Sequence, residues 1–110
     1  MGRDEPDVMG QLMASAEGLS RRFTEGNNPF QIMTRLFEEC GELAAEVNHA
    51  EGLGVKREKL GEPDRGRMAH EVRQVLQCAV QVAQHYQLEG ELTEAIGWSF
   101  GRLRSEGFIE

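Results

Sequence analysis

Four glutamates crowd one stretch of the chain: Glu38, Glu39, Glu42 and Glu46. On a helix, Glu38 and Glu42 lie one turn apart, as do Glu42 and Glu46, and Glu39 reaches Glu42 at i,i+3. Like charges at these spacings destabilise a helix by roughly 0.2–0.5 kcal/mol per pair. No Lys or Arg occurs between Leu36 and Val55, and by helical spacing Arg35 reaches only Glu38 and Glu39. A lone helical Glu ordinarily faces water, but a run of them without basic partners calls for a cation from elsewhere. A bound divalent metal is the most direct source. Oxygen ligands favour a hard ion, magnesium or manganese, over zinc. Magnesium usually keeps several waters and takes other ligands from substrate phosphates, so a second helix must face the first. Glu71 is the sole carboxylate between Arg65 and Leu88. Its helical face continues through Gln74, then Cys78 or Gln77, then Gln81. A solvent-facing Glu is the plain alternative reading of Glu71.

The elements that must position these groups read as helices. Val8, Leu12, Ala16, Leu19 and Phe23 recur at helical spacing, which predicts a first helix from Val8 to about Phe23. Glu25-Gly26-Asn27-Asn28-Pro29 breaks it, with Asn28 as N-cap and Pro29 at the first position of the next helix. That second helix runs to about Glu51 on a stripe of Phe30, Met33, Phe37, Cys40, Ala44 and Val47, and Gly52 and Gly54 end it. Residues 52–66 form a long loop, rich in glycine and charge, of a kind that is usually functional or disordered. A third helix is expected from about Arg67 to Gln87, with Met68, Val72, Val75, Leu76, Ala79, Val82, Ala83 and Tyr86 on a wide apolar face. The fourth covers about Glu91 to Ser105 with Leu92, Ile96, Phe100 and Leu103 inward. Gly97 and Gly101 stand one turn apart there, which suits either a close helix crossing or an exposed face. No strand-like alternation and no internal repeat competes. The expected fold is all-α: an antiparallel four-helix bundle in a single domain, residues 1–110, with residues 1–7 a flexible tail.

Composition narrows the function classes. A chain of 110 residues buries only about two-thirds of its unfolded surface, which leaves room for a second subunit to complete the core. The formal net charge is −7, unsuited to a nucleic acid partner without a local basic patch or a metal. One Trp and one Tyr do not make a broad base-stacking platform. No apolar run approaches a membrane span, and Met1 to Asp7 is polar and acidic, unlike a secretory signal. Cys40 and Cys78 stand apart in helical patterns, which suits a reducing cytoplasm and argues against a disulfide framework.

The motif Glu38-Glu39-Cys40-Gly41-Glu42-Leu43 on one helix, followed by His70-Glu71-Val72-Arg73-Gln74 on the next, resembles the MazG-like nucleotide pyrophosphohydrolases, members of the all-alpha NTP pyrophosphatase group. Their signature is an ExxE followed by an ExxD. Glu39 and Glu42 match the first half, and Glu71 matches the first position of the second. The resemblance covers about Pro29 to Gln87 by motif and nearly the whole chain by helix order. It implies a magnesium-dependent enzyme in which Glu39, Glu42, Glu71 and the residue at position 74 hold metal that grips nucleotide phosphates. Water would attack at the alpha–beta phosphate link, giving a monophosphate and pyrophosphate in a house-cleaning role. It also implies a homodimer or homotetramer. Glu38 or Glu46 is then the candidate catalytic base. The departure is Gln74, where the family has Asp: an amide oxygen remains, but one charge is lost.

Lys56, Arg57 and Lys59, with Arg65 and Arg67 nearby, form a candidate phosphate-binding lid or else a solvated loop. His49, three residues after Glu46, approaches the same region but reads as a surface histidine, as do His70 and His85. Cys40 and Cys78 read as small core residues, not nucleophiles. Trp98, Phe23, Phe30 and Phe37 could stack a base but read first as core. Two competitors stand beside the enzyme: a nucleotide- or metal-binding homologue disabled at Gln74, and a helical oligomerisation module without a ligand.

Overall fold

A computed structural model describes residues 5–53 and 61–110. Among these, four helices and no strand occur: α1 (Val8–Arg22), α2 (Pro29–Ala50), α3 (Arg65–His85) and α4 (Glu89–Ser105). Each start has a local cause. The Asp7 side chain accepts from the Gly10 backbone N–H at 2.8 Å and opens α1. Asn28 accepts from the Gln31 N–H while the Gln31 side chain accepts from the Asn28 N–H, a reciprocal capping box ahead of Pro29. Asp64 accepts from the Gly66 and Arg67 amides, so α3 begins two residues earlier than periodicity alone indicates. Helix α4 starts without a side-chain cap. Acids Glu89 and Glu91 in its first turn and Arg102 and Arg104 in its last complement the helix dipole.

Helix α3 is the centre of the molecule. It packs on α2 along most of its length and on α1 as well. Arg35 sits beside Cys78, Glu39 beside Glu71, and Ala50 near Met68, so α2 and α3 are antiparallel. Two glutamines tie α3 to α1. Gln81 Nε2 donates to the Ala16 carbonyl and to Ser20 Oγ, and Gln84 Nε2 donates to the Met13 carbonyl at 2.9 Å. These bonds fasten α3 to one side of α1.

The apolar core is small. Ala16, Ile32, Cys78, Val80 and Ala83 are the buried hydrophobic residues among those described. Among the described residues, α4 touches only α3, and it buries none of its own residues. Ile96, Phe100 and Leu103, expected inward, are exposed within one chain, as are Phe30, Phe37 and Val47 of the α2 stripe. A Cβ on Gly97 or Gly101 would meet nothing, so no close crossing requires them in this chain. The Cα radius of gyration is 17.0 Å, against about 13 Å for a compact domain of this length.

Candidate functional site

Between α2 and α3, two carboxylates face each other. The Glu39 carboxyl lies within hydrogen-bonding reach of Glu71, with Glu42 and His70 close enough to act on its charge. Its pKa is raised above the ordinary 4.5. Burial between the helices is the main cause, followed by hydrogen bonding and charge repulsion from Glu71 and then repulsion from Glu42, while His70 pulls the other way. Glu71 Oε2 is buried with no hydrogen-bond donor among the described residues. A buried carboxylate oxygen with no donor is unfavourable unless a proton or a cation meets it. Arg35 does not supply that charge. Its Nη1 donates to the Gly26 carbonyl, and the guanidinium lies against Cys78. Among the described residues, ion pairs join Arg21 to Glu17 and Arg102 to Glu106, and none involves Glu38, Glu39, Glu42 or Glu71.

The structure thus brings Glu39, Glu42 and Glu71 into one electrostatic group and sets Gln74 beside Glu39 on the wall of a shared cavity. No three His, Cys, Asp or Glu side chains among the described residues converge into a ready-made metal cage. Magnesium does not require one, because one or two carboxylates with waters and substrate phosphates commonly complete its shell. The facing pair and its donor-free oxygen therefore fit a hard cation.

The other candidates fall differently. Glu38 is exposed and takes no part in shifting Glu39. Glu46 is 1% exposed and already engaged by another group, a setting that keeps bulk water away from its carboxylate. His49, read from sequence as a surface residue, is fully buried. Its Nε2 donates to the Gly61 carbonyl at 2.6 Å, across the end of the loop that leads into α3. Lys56, Arg57 and Lys59 lie outside the described residues. Arg65 and Arg67 are exposed in the first turn of α3. Cys40, expected in the core, is exposed, whereas Cys78 is buried with its thiol pKa pushed up mainly by that burial. A thiol so held is a poor nucleophile.

Periodicity did not reveal the cavity of about 370 Å³ that opens beside Glu39. Its wall includes Phe23, Asn27, Arg35, Gln77 and Gln81. The signal was present in the sequence: Gln74, Gln77 and Gln81 recur at helical spacing beside the apolar face of α3. Of the four aromatics weighed as stacking residues, Phe23 alone is on this wall, and all four are exposed.

No family model matches the chain, and no solved structure matches it. A segment of 70 residues, 63% of this chain, is 40% identical to the uncharacterized protein YpjD of Bacillus subtilis (strain 168). The match spans 60% of that relative's length, less than two-thirds.

Proposed function

We propose that the chain is a magnesium-dependent, MazG-like nucleotide pyrophosphohydrolase that splits nucleoside triphosphates into monophosphate and pyrophosphate. The observation that carries this reading is the Glu39–Glu71 pair, held face to face with a buried, donor-free oxygen at the positions where the resemblance puts metal ligands. Glu39, Glu42 and Glu71 would hold the ion, with the Gln74 amide oxygen as a neutral fourth ligand. Bound magnesium would neutralise phosphate charge and polarise the bond to be broken. The chain's own part is to fix the carboxylates between two antiparallel helices and to seat the rest of the nucleotide in the adjoining cavity. Of the two candidate bases, Glu38 is the one with access to water; Glu46 serves better as a buried support.

The test is release of pyrophosphate from a panel of (d)NTPs with and without magnesium. Magnesium-dependent release supports the enzyme. Silence of the wild type with activity in Gln74→Asp favours the disabled, ligand-binding homologue. Failure of both proteins to bind magnesium by calorimetry removes the metal site.

The same reading includes assembly with further copies of the chain. Its support is the small core, the apolar residues left exposed on α2 and α4, and a radius of gyration larger than a compact domain of this length would have. Size-exclusion chromatography with light scattering should give a dimer or tetramer, and a monomer would reject this part. A cytoplasmic setting fits the two free thiols and the absence, among the described helices, of one long and apolar enough to cross a membrane.

A further inference from the structure

In the cavity beside Glu39, three amide side chains have a fixed hydrogen-bonding polarity, because their orientations are dictated by what they already touch. Asn27 Nδ2 donates to two backbone carbonyls, Ser20 O at 3.1 Å and Phe23 O at 2.7 Å. A carbonyl only accepts, so the Asn27 nitrogen must face them and its Oδ1 is left over. Gln81 Nε2 likewise donates to Ala16 O at 3.3 Å and Ser20 Oγ at 3.1 Å, leaving its Oε1. Gln77 is turned the other way. Its Oε1 accepts from Arg73 Nη1, and a guanidinium only donates, so its Nε2 is left over. These three amides therefore offer two acceptors and one donor, on a wall they share with the carboxylates of Glu25 and Glu39, the Gln74 amide and the Arg35 guanidinium. Phe23, half-exposed at the rim, offers a flat apolar surface. Arg35 is already turned to the Gly26 carbonyl and Cys78. The volume is of the size that holds small ligands.

We propose that this cavity reads the base of the nucleotide and selects bases carrying an exocyclic amino group over their keto counterparts. The inference rests on the nucleotide reading above. An amino group places two N–H donors against the Asn27 and Gln81 carbonyl oxygens, while a ring nitrogen or carbonyl accepts from Gln77. Uracil or hypoxanthine would set a carbonyl against a carbonyl in the same place. A buried polar wall left unpaired rejects such an analogue strongly.

Two substrate pairs differ chiefly at this one group: dCTP against dUTP, and ATP against ITP. Equilibrium dialysis with labelled nucleotide and magnesium reads affinity whether or not hydrolysis occurs. The amino member of each pair should bind at least ~10-fold more tightly. Gln77→Glu keeps the oxygen that Arg73 holds and replaces the free donor by an acceptor. It should weaken dCTP and ATP about tenfold without changing the melting temperature by more than a few degrees. Equal affinity within each pair, or a keto preference, overturns the inference while leaving the proposed function intact. Unchanged binding in a folded Gln77→Glu protein does the same. If no nucleotide binds wild type at all, the proposed function falls and the base preference with it.

Discussion

Replacing Glu71 by Gln should make the metal-free protein more stable and at the same time abolish its response to magnesium. In the wild type, Glu71 presents a buried oxygen without a donor and repels Glu39 across the α2–α3 interface. Gln is nearly isosteric, removes one charge, and lets an amide N–H donate to Glu39. A hydrogen bond to a charged group contributes about 1.5–3 kcal/mol when well buried. Both carboxylates are partly open to solvent, and screening reduces the gain to about 1 kcal/mol. For a chain of this length that is a rise in Tm of about 4–6 °C in chelator-containing buffer near pH 8. The pH dependence has a definite sign. Glu39 carries a raised pKa in the folded state, so the native protein holds this proton more tightly than the unfolded chain. The wild-type penalty is therefore absent below the unfolded value near 4.5 and grows as pH rises through the raised folded value. The advantage of Glu71→Gln should accordingly fade towards pH 4.5. Magnesium at millimolar concentration should raise the wild-type Tm near pH 8 and leave the variant unmoved. Differential scanning fluorimetry over pH, with and without the ion, reads all of this. A variant that melts lower than wild type in chelator near pH 8, or that keeps the full magnesium response, would refute the facing-carboxylate argument.

Gln74→Asp restores a charge beside Glu39 and should tighten magnesium binding about tenfold or more by titration calorimetry, with pyrophosphate release rising in parallel. Gln81→Ala strips the donors that meet Ala16 O and Ser20 Oγ and should lower stability by about 1–3 kcal/mol in urea unfolding. Ile96→Glu with Phe100→Glu places charge on the exposed apolar face of α4, and light scattering should show a smaller assembly while circular dichroism retains the helices.

How much of this was legible in the chain depends on the kind of signal. Helix positions were, because their causes are local: Asn28-Pro29 starts α2 and periodicity carries α3. The shift in the start of α3 comes from Asp64, whose capping role depends on the backbone it happens to face. The pairing of Glu39 with Glu71 could be anticipated from the resemblance of the two motifs; charge alone marks the acid-rich helix and leaves Glu71 readable as a solvent-facing residue. Burial of His49 could not be anticipated. It depends on the loop end returning to bring Gly61 O to Nε2, a tertiary event with no periodic trace. The hydrogen-bonding polarity of the cavity was equally hidden. Asn27, Gln77 and Gln81 are interchangeable polar residues in sequence, and only the carbonyls and the guanidinium they touch decide which end of each amide remains free.

The apolar stripes of α2 and α4 mark the boundary of what periodicity can say. A repeat of Ile96, Phe100 and Leu103 establishes that one face of a helix avoids water, but the identity of what covers that face is a separate fact. In α3 the cover is α1 and α2 over part of the face, and Val72, Leu76 and Tyr86 stay exposed. In α4 nothing among the described residues supplies it: Trp98 stays 66% exposed and Phe37 of α2 68%. The same distinction governs the charged face. Acids without cations establish that a counter-charge is needed, and the fold answers by turning Arg35 away to Gly26 and Cys78. Apolar stripe and acid pair thus pose the same kind of question, which the proposed assembly and the proposed cation would answer. Packing of α2 against α3 brings Glu39 within hydrogen-bonding reach of Glu71, and that burial and proximity are what raise the Glu39 pKa.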